Sequence, residues 1–151
     1  MQMAATLFRL IAVLAVLCAV APSAHAQLSN AKLETWLSGY RDAWEKRDAE
    51  RAARLFTEDA RYQEMPFDAP KNGRAGIREY WSGVTADQRD VEFQSQTIAV
   101  NGNTGVAHWS AKFKQASTGM TVELDGVFVL EFDPKTGLCS TLREWWHVRG
   151  G

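Results

Sequence analysis

The chain has 151 residues, with 17 basic side chains against 18 acidic ones and two cysteines. So even a balance lacks the basic surplus of a nucleic-acid surface, and the length suits one core of ordinary size. Neither repeats nor low-complexity tracts interrupt it.

The opening MQMAATLFRLIAVLAVLCAVAPSAHAQ reads as an export signal. Arg9 supplies a positive start, Leu10 to Ala21 an apolar run, and Ala24-His25-Ala26 a small-x-small cleavage site. The run is shorter than the roughly 20 residues a membrane span needs, so cleavage after Ala26 is expected over a retained anchor. Leu17 stands before Cys18 where a lipidation signal wants a small residue. Residues 27–151 would then form one secreted or periplasmic domain, free of the membrane, with 16 basic and 18 acidic residues. Cys139 would be its only cysteine, so no internal disulfide staples it. All six tryptophans fall in this part and supply much of its core.

Leu33, Trp36, Leu37, Tyr40 and Trp44 recur at three and four residues, which predicts a helix over Ser29 to Arg47 with one aromatic face. Asp48 reads as the N-cap of a second helix over Ala49 to Thr57 that buries Ala52, Leu55 and Phe56. An extended piece from Ala60 to Met65 and a loop from Pro66 to Gly73 follow. A third helix, about Arg74 to Ser82, buries Ile77, Tyr80 and Trp81. Beyond Asp90 the period changes to two. Val91–Val100, Val106–Ala116, Met120–Phe132 and Leu138–Val148 alternate as half-buried strands. The turns NGN, STG and DPKTG between them make these an antiparallel meander. Helices first and long strands after predict an α+β fold, with helices packed on one face of a curled sheet.

Alternation also separates the faces of each strand. Leu124, Gly126, Phe128, Leu130 and Phe132 share one face, as do Ala107, Trp109, Ala111 and Phe113. In the last strand Leu142, Glu144, Trp146 and Val148 oppose Arg143, Trp145, His147 and Arg149. Glu144 therefore stands on an apolar face, where a carboxylate has to be paired, protonated or turned to a wet cavity, unless that position lies at the sheet rim in water.

Five stretches, GYRDAWEKRDAERAARLFTEDARY, MPF, NGRAGIREYW, LDGVFVLEFD and LREWW, together resemble the SnoaL-like branch of the nuclear transport factor 2-like superfamily. Ketosteroid isomerase also belongs to that superfamily. The resemblance spans nearly all of Ala31 to His147. It implies three helices capping a strongly bent, mostly antiparallel sheet, a cone enclosing a pocket, and often a homodimer through the outer sheet face. It leaves the reaction open, because this fold hosts isomerases, dehydratases, cyclases, epoxide hydrolases and binders. By the same resemblance Tyr40 falls on the tyrosine oxyanion donor, Phe56 and Trp81 on two neighbouring tyrosines, and Trp146 on a pocket tryptophan. Glu64 falls on the proton-shuttling aspartate, although counting back from MPF places Met65 there. Phe128 stands where the isomerase has a protonated aspartate, so the second oxyanion donor is missing and ketosteroid isomerisation itself is not expected.

Tyr40, Glu64 and Glu144 form the candidate catalytic set, within walls supplied by Phe56, Phe67, Trp81, Trp109, Phe113, Phe128 and Trp146. A carboxylate in an apolar pocket acts as base or acid near neutral pH, and a tyrosine donates to a carbonyl. That set suits isomerisation, dehydration or aldol-type cyclisation of a small apolar molecule without a cofactor. Alternatives are a binding protein that leaves its ligand unchanged, and an interaction module paired through Val127, Val129 and Trp145. His108 and His147 share the outer face without a third ligand, so no metal is expected. Cys139 lacks the surroundings of a nucleophile. NGRAG reads as lacking both the preceding strand and the spacing of a phosphate loop.

Overall fold

A computed structural model describes residues 27–149; the expected export segment lies outside them. Helix α1, Asn30–Glu45, is capped by Ser29, whose hydroxyl accepts from the Lys32 N–H. It buries the predicted stripe from Leu33 to Trp44. Arg47 takes a left-handed backbone (φ 55°), and Asp48 then caps α2, Ala49–Ala53, by accepting from the Arg51 N–H at 2.8 Å. Helix α2 stops four residues before the expected end, and Phe56 and Thr57 open strand β1, Phe56–Gln63. The reason is tertiary. Cys139 N–H donates to the Leu55 carbonyl at 3.0 Å, and β1 runs parallel to β6, Cys139–Arg149, starting at Phe56 opposite Cys139. Ladder formation outweighs a weak helix propensity there.

A short strand β2, Lys71–Asn72, pairs with β1 before helix α3, Gly73–Ala86. Gly73 turns the chain at φ 70°. The Arg74 guanidinium donates twice to the Phe56 carbonyl, fixing α3 to β1. Helix α3 extends a full turn past Ser82, because Thr85 is buried and its hydroxyl donates to the Trp81 carbonyl at 2.8 Å.

Strands β3, Gln88–Asn101, β4, Thr104–Gln115, and β5, Thr121–Phe132, complete the meander with β6. The order β2-β1-β6-β5-β4-β3 makes one mixed, open six-stranded sheet, antiparallel except at β1–β6. Register shifts in β3 at Arg89/Glu92 and Thr97/Ala99 bend and coil its edge. The helices cover the concave face, with α1 against β3 and α3 against β1. Between them Tyr40, Trp44, Trp81, Phe93, Trp109 and Phe128 interlock, with ring centroids 5.1–6.4 Å apart. Among the described residues no helix is long and apolar enough to cross a membrane.

Candidate active site

The aromatic core does not close completely. A cavity of about 240 Å³ opens between α1, α3 and the concave faces of β4, β5 and β6. Tyr40, Tyr62, Glu64, Tyr80, Trp81, Trp109, Phe113, Glu144 and Trp146 are on its wall. Its volume lies below the roughly 300–1,000 Å³ of drug-sized sites, so it suits a molecule of one or two small rings.

Strand pairing places the polar groups. Tyr62 stands beside Leu142 across the parallel β1–β6 ladder, and Glu144 follows two residues later on the same face. The Tyr62 hydroxyl therefore reaches across and donates to Glu144 Oε1 at 2.8 Å. Tyr40, from α1, places its hydroxyl 2.9 Å from that of Tyr62. A phenol has one hydrogen, and Tyr62 gives its own to Glu144, so Tyr40 donates to Tyr62. The outcome is a directed chain, Tyr40 to Tyr62 to Glu144.

Glu144 is only 4% exposed. Burial pushes its carboxyl up to about 8, helped by the charge of Glu64 and opposed by the Tyr62 hydrogen bond. At neutral pH it is therefore mostly a carboxylic acid. Burial, followed by the charge of Glu144, drives Tyr40 and Tyr62 well above the ordinary phenol range, so both stay neutral donors. Tyr80 is raised for the same reasons, and the neighbouring Glu64 adds to it. Glu64, just past the end of β1, is half-buried on the cavity wall beside the Tyr80 hydroxyl.

Tyr40, Glu64, Glu144, Trp81, Trp109, Phe113 and Trp146 are thus brought around one cavity. Three residues expected on its wall stand elsewhere. Phe128 is fully buried behind it, stacked on Trp109 with centroids 5.2 Å apart and set directly opposite Glu144 on the neighbouring strand. Phe56 packs behind Tyr62 and against Trp36. Phe67 is fully exposed in the loop after β1, because its prolines and turn carry it clear of the sheet. The count that placed Met65 at the shuttle position is not matched: Glu64, and not Met65, is on the wall.

Sequence reasoning missed Tyr62 altogether and treated Tyr80 only as core. The chain has just three tyrosines, and all three converge here, a scarcity that could have drawn attention to both. The indole N–H groups of Trp81 and Trp109 have no acceptor, at a cost of about 1–3 kcal/mol each. The Trp44 indole, between them, donates to Gln88 Oε1 at 2.6 Å.

Elsewhere the groups are structural. His108 meets Asp125 at 2.9 Å on the outer face, and His147 is exposed there. Among the described residues no cluster of three or more His, Cys, Asp or Glu could hold a metal. Cys139 is buried, which drives its thiol up and away from nucleophilic use. A wider hollow of about 530 Å³ lies beyond the cavity, bordered by the Arg149–Glu123 and Lys112–Glu123 ion pairs. It contains no buried titratable group.

Three helices on one face of a bent, open, mostly antiparallel sheet are the architecture of the nuclear transport factor 2-like superfamily. Within it, the SnoaL-like domain family matches residues 37–139, and the chain belongs to that family. No curated protein matches. Among solved structures, SalBIII, an epoxide hydrolase/cyclase-like enzyme in pyran ring formation in polyether salinomycin, is 20% identical, with a TM-score of 0.67 over 78% of this chain and 92% of its own. A putative isomerase from Bacillus subtilis is 18% identical, with a TM-score of 0.68 over 78% of this chain and 87% of its own. The hexachlorocyclohexane dehydrochlorinase LinA type 2 is 14% identical, with a TM-score of 0.67 over 80% and 87%.

Proposed function

We propose that this chain is a cofactor-independent isomerase or lyase that moves a proton next to a carbonyl in a small, largely apolar molecule. One observation carries this reading: the Tyr40–Tyr62 chain ends on a carboxyl buried in an aromatic cavity. The two carboxyl groups take different roles because their surroundings differ. Glu144, held protonated by burial, accepts from Tyr62 on Oε1 and donates its own proton from the other oxygen to the substrate carbonyl. Polarised by two phenols in series, it is a stronger donor than a lone acid. Glu64, nearer the wet mouth, takes the proton from the adjacent carbon. The C–H electrons form the new C=C bond as the carbonyl oxygen gains negative charge, which Glu144 holds. Returning the proton to another carbon completes an isomerisation; loss of a β-leaving group completes an elimination. In this arrangement Glu144 supplies the donor that Phe128 lacks, from one strand away. The isomerase, cyclase and dehydrochlorinase named among the similar structures work on the same architecture.

Deuterium uptake from D2O at the α-carbon of cyclohexanone tests this reading, followed by NMR. The protein should accelerate exchange at least tenfold over buffer, and Glu64→Gln should abolish the acceleration. Binding of the ketone without any acceleration would overturn catalysis in favour of a ligand-holding protein, the use to which a similar designed 17-OHP binder was put. Export is part of the same proposal, supported by the opening segment, and a mature protein beginning at Gln27 is the expected result of N-terminal sequencing.

A further inference from the structure

Two glutamines on the cavity wall are held by their oxygens. Gln88 opens β3, Gln115 ends β4, and the two are partners across that ladder, so their side chains start side by side. Trp44 donates its indole N–H to Gln88 Oε1 at 2.6 Å, and an indole can only donate, so the Gln88 carboxamide has its oxygen at Trp44 and its NH2 group turned away. Gln115 Oε1 accepts from the Thr118 hydroxyl at 3.2 Å. Both oxygens are thus engaged, while neither Nε2 has an acceptor among the described residues. Unlike the sealed indole nitrogens of Trp81 and Trp109, these two belong to half-buried side chains and keep accessible surface. A bound molecule can reach them.

The backbone beneath the pair is fixed as well. Asp87, just before Gln88, accepts from the Ser117 N–H at 2.7 Å and from the Ser117 hydroxyl at 2.6 Å, and its carbonyl accepts from the Ala116 N–H at 2.8 Å. The donors are therefore in place before anything binds. Helix α1 sets their distance from the acid end. Tyr40 heads the chain to Glu144 and Trp44 holds Gln88; they are one helical turn apart, with ring centroids separated by 6.1 Å. A six-membered ring with one short substituent fills such a span. Charge adds a further condition. The wall carries Glu64 but neither lysine nor arginine, so an anion would be buried there without a counter-charge.

We propose that Gln88 and Gln115 form a second recognition subsite, which takes an uncharged carbonyl oxygen at the end of the ligand remote from Glu144. This rests on the cavity being the substrate site, but not on any turnover there.

Three ketones of matched size test this: 4-acetylcyclohexanone, 4-isopropylcyclohexanone and 4-oxocyclohexanecarboxylate, which end in a carbonyl, in no acceptor and in an anion. Titrations followed by heteronuclear NMR should show the acetyl compound binding about three- to tenfold more tightly than either of the others. The side-chain NH2 signals of Gln88 and Gln115 should move with the acetyl compound and not with the isopropyl one. Gln88→Glu keeps an oxygen for Trp44 while removing the NH2 group, and Gln88→Met removes both. Each should abolish the preference for acetyl over isopropyl with little change in affinity for the isopropyl compound, a result that a merely structural role would not give. Equal affinities in the parent protein, glutamine signals unmoved by the acetyl compound, or a preference that survives both substitutions would overturn the proposal. So would tightest binding of the carboxylate, or failure of all three to bind. An acetyl preference without deuterium exchange would refute the catalytic reading while leaving this one standing, and exchange without the preference would do the reverse.

Discussion

Tyr62 and Glu144, 82 positions apart in the chain, are joined hydroxyl to carboxyl at 2.8 Å across two parallel strands. The bond is short because Tyr62 stands opposite Leu142, so that Glu144 is the next inward residue on β6. Tyr62→Phe should strip Glu144 of its one protein donor and leave the Tyr40 hydroxyl facing a ring edge. Since that bond lowers the carboxyl, the Glu144 pKa should rise further above 8. Loss of two coupled buried hydrogen bonds should cost about 1–3 kcal/mol in a denaturant titration. Tyr40→Phe should cost less, because Tyr62 keeps its bond to Glu144. The two substitutions share one chain, so their double variant should fall short of additivity.

Glu144 also dictates how stability varies with pH. Its folded value, about 8, lies above the ordinary 4.5, so between those limits the folded state binds more protons than the unfolded one. Stability should therefore fall as pH rises from 4.5 through 8, by at most about 5 kcal/mol. Asp42, Asp87, Glu123 and Asp133 act in the opposite sense. Their carboxyls are held below the usual range by Arg41, Ser117, Arg149 and Thr136 respectively. Their contribution is present above about pH 4 and lost on acidification. The melting temperature should thus peak near pH 5 and decline towards pH 9, and Glu144→Gln should flatten the alkaline decline while sparing the acid one.

How much of this was legible before the structure depends on the range of each interaction. The α1 stripe and the four long strands are local patterns, and alternation alone put Glu144 on the buried face with Leu142 and Trp146. The parallel pairing of β1 with β6 has no local signature. Without it Phe56 and Thr57 read as the end of a helix, and Tyr62 had no visible partner. Periodicity also cannot separate a residue on a cavity wall from one just behind it. Phe128 and Phe56 occupy the right faces but lie in the second layer, beneath Tyr40 and Tyr62.

Glycines give a controlled comparison of close approach against backbone freedom. Gly126→Ala would bring a methyl group to 2.6 Å from the Trp145 carbonyl oxygen as well as into both flanking tryptophans. Because the nearest atom is backbone, relief requires strand movement, and a loss of about 1–3 kcal/mol is expected. Gly83, within α3, has nothing within 4 Å of an added Cβ. Gly83→Ala should instead stabilise the protein by about 0.4–1 kcal/mol. Paired thermal melts check both signs.

The last expectation distinguishes the two carboxyl groups by the direction of a pH profile. If Glu144 acts as the donor, the working form is its acid, and that form disappears as pH rises through about 8. Ketone exchange should then decline tenfold for each pH unit well above that value. If Glu144 were the base, the same titration would make exchange climb through pH 8 and level off beyond it. A glutamine keeps a donor N–H at this position and cannot titrate. Glu144→Gln should therefore retain a reduced rate, lower by about 10²- to 10³-fold, and lose the alkaline limb entirely. Glu64→Gln should remove the rate at every pH, because no other carboxylate on the wall faces the wetter end. A rate that rises through pH 8 in the parent protein would make Glu144 the base and remove that role from Glu64.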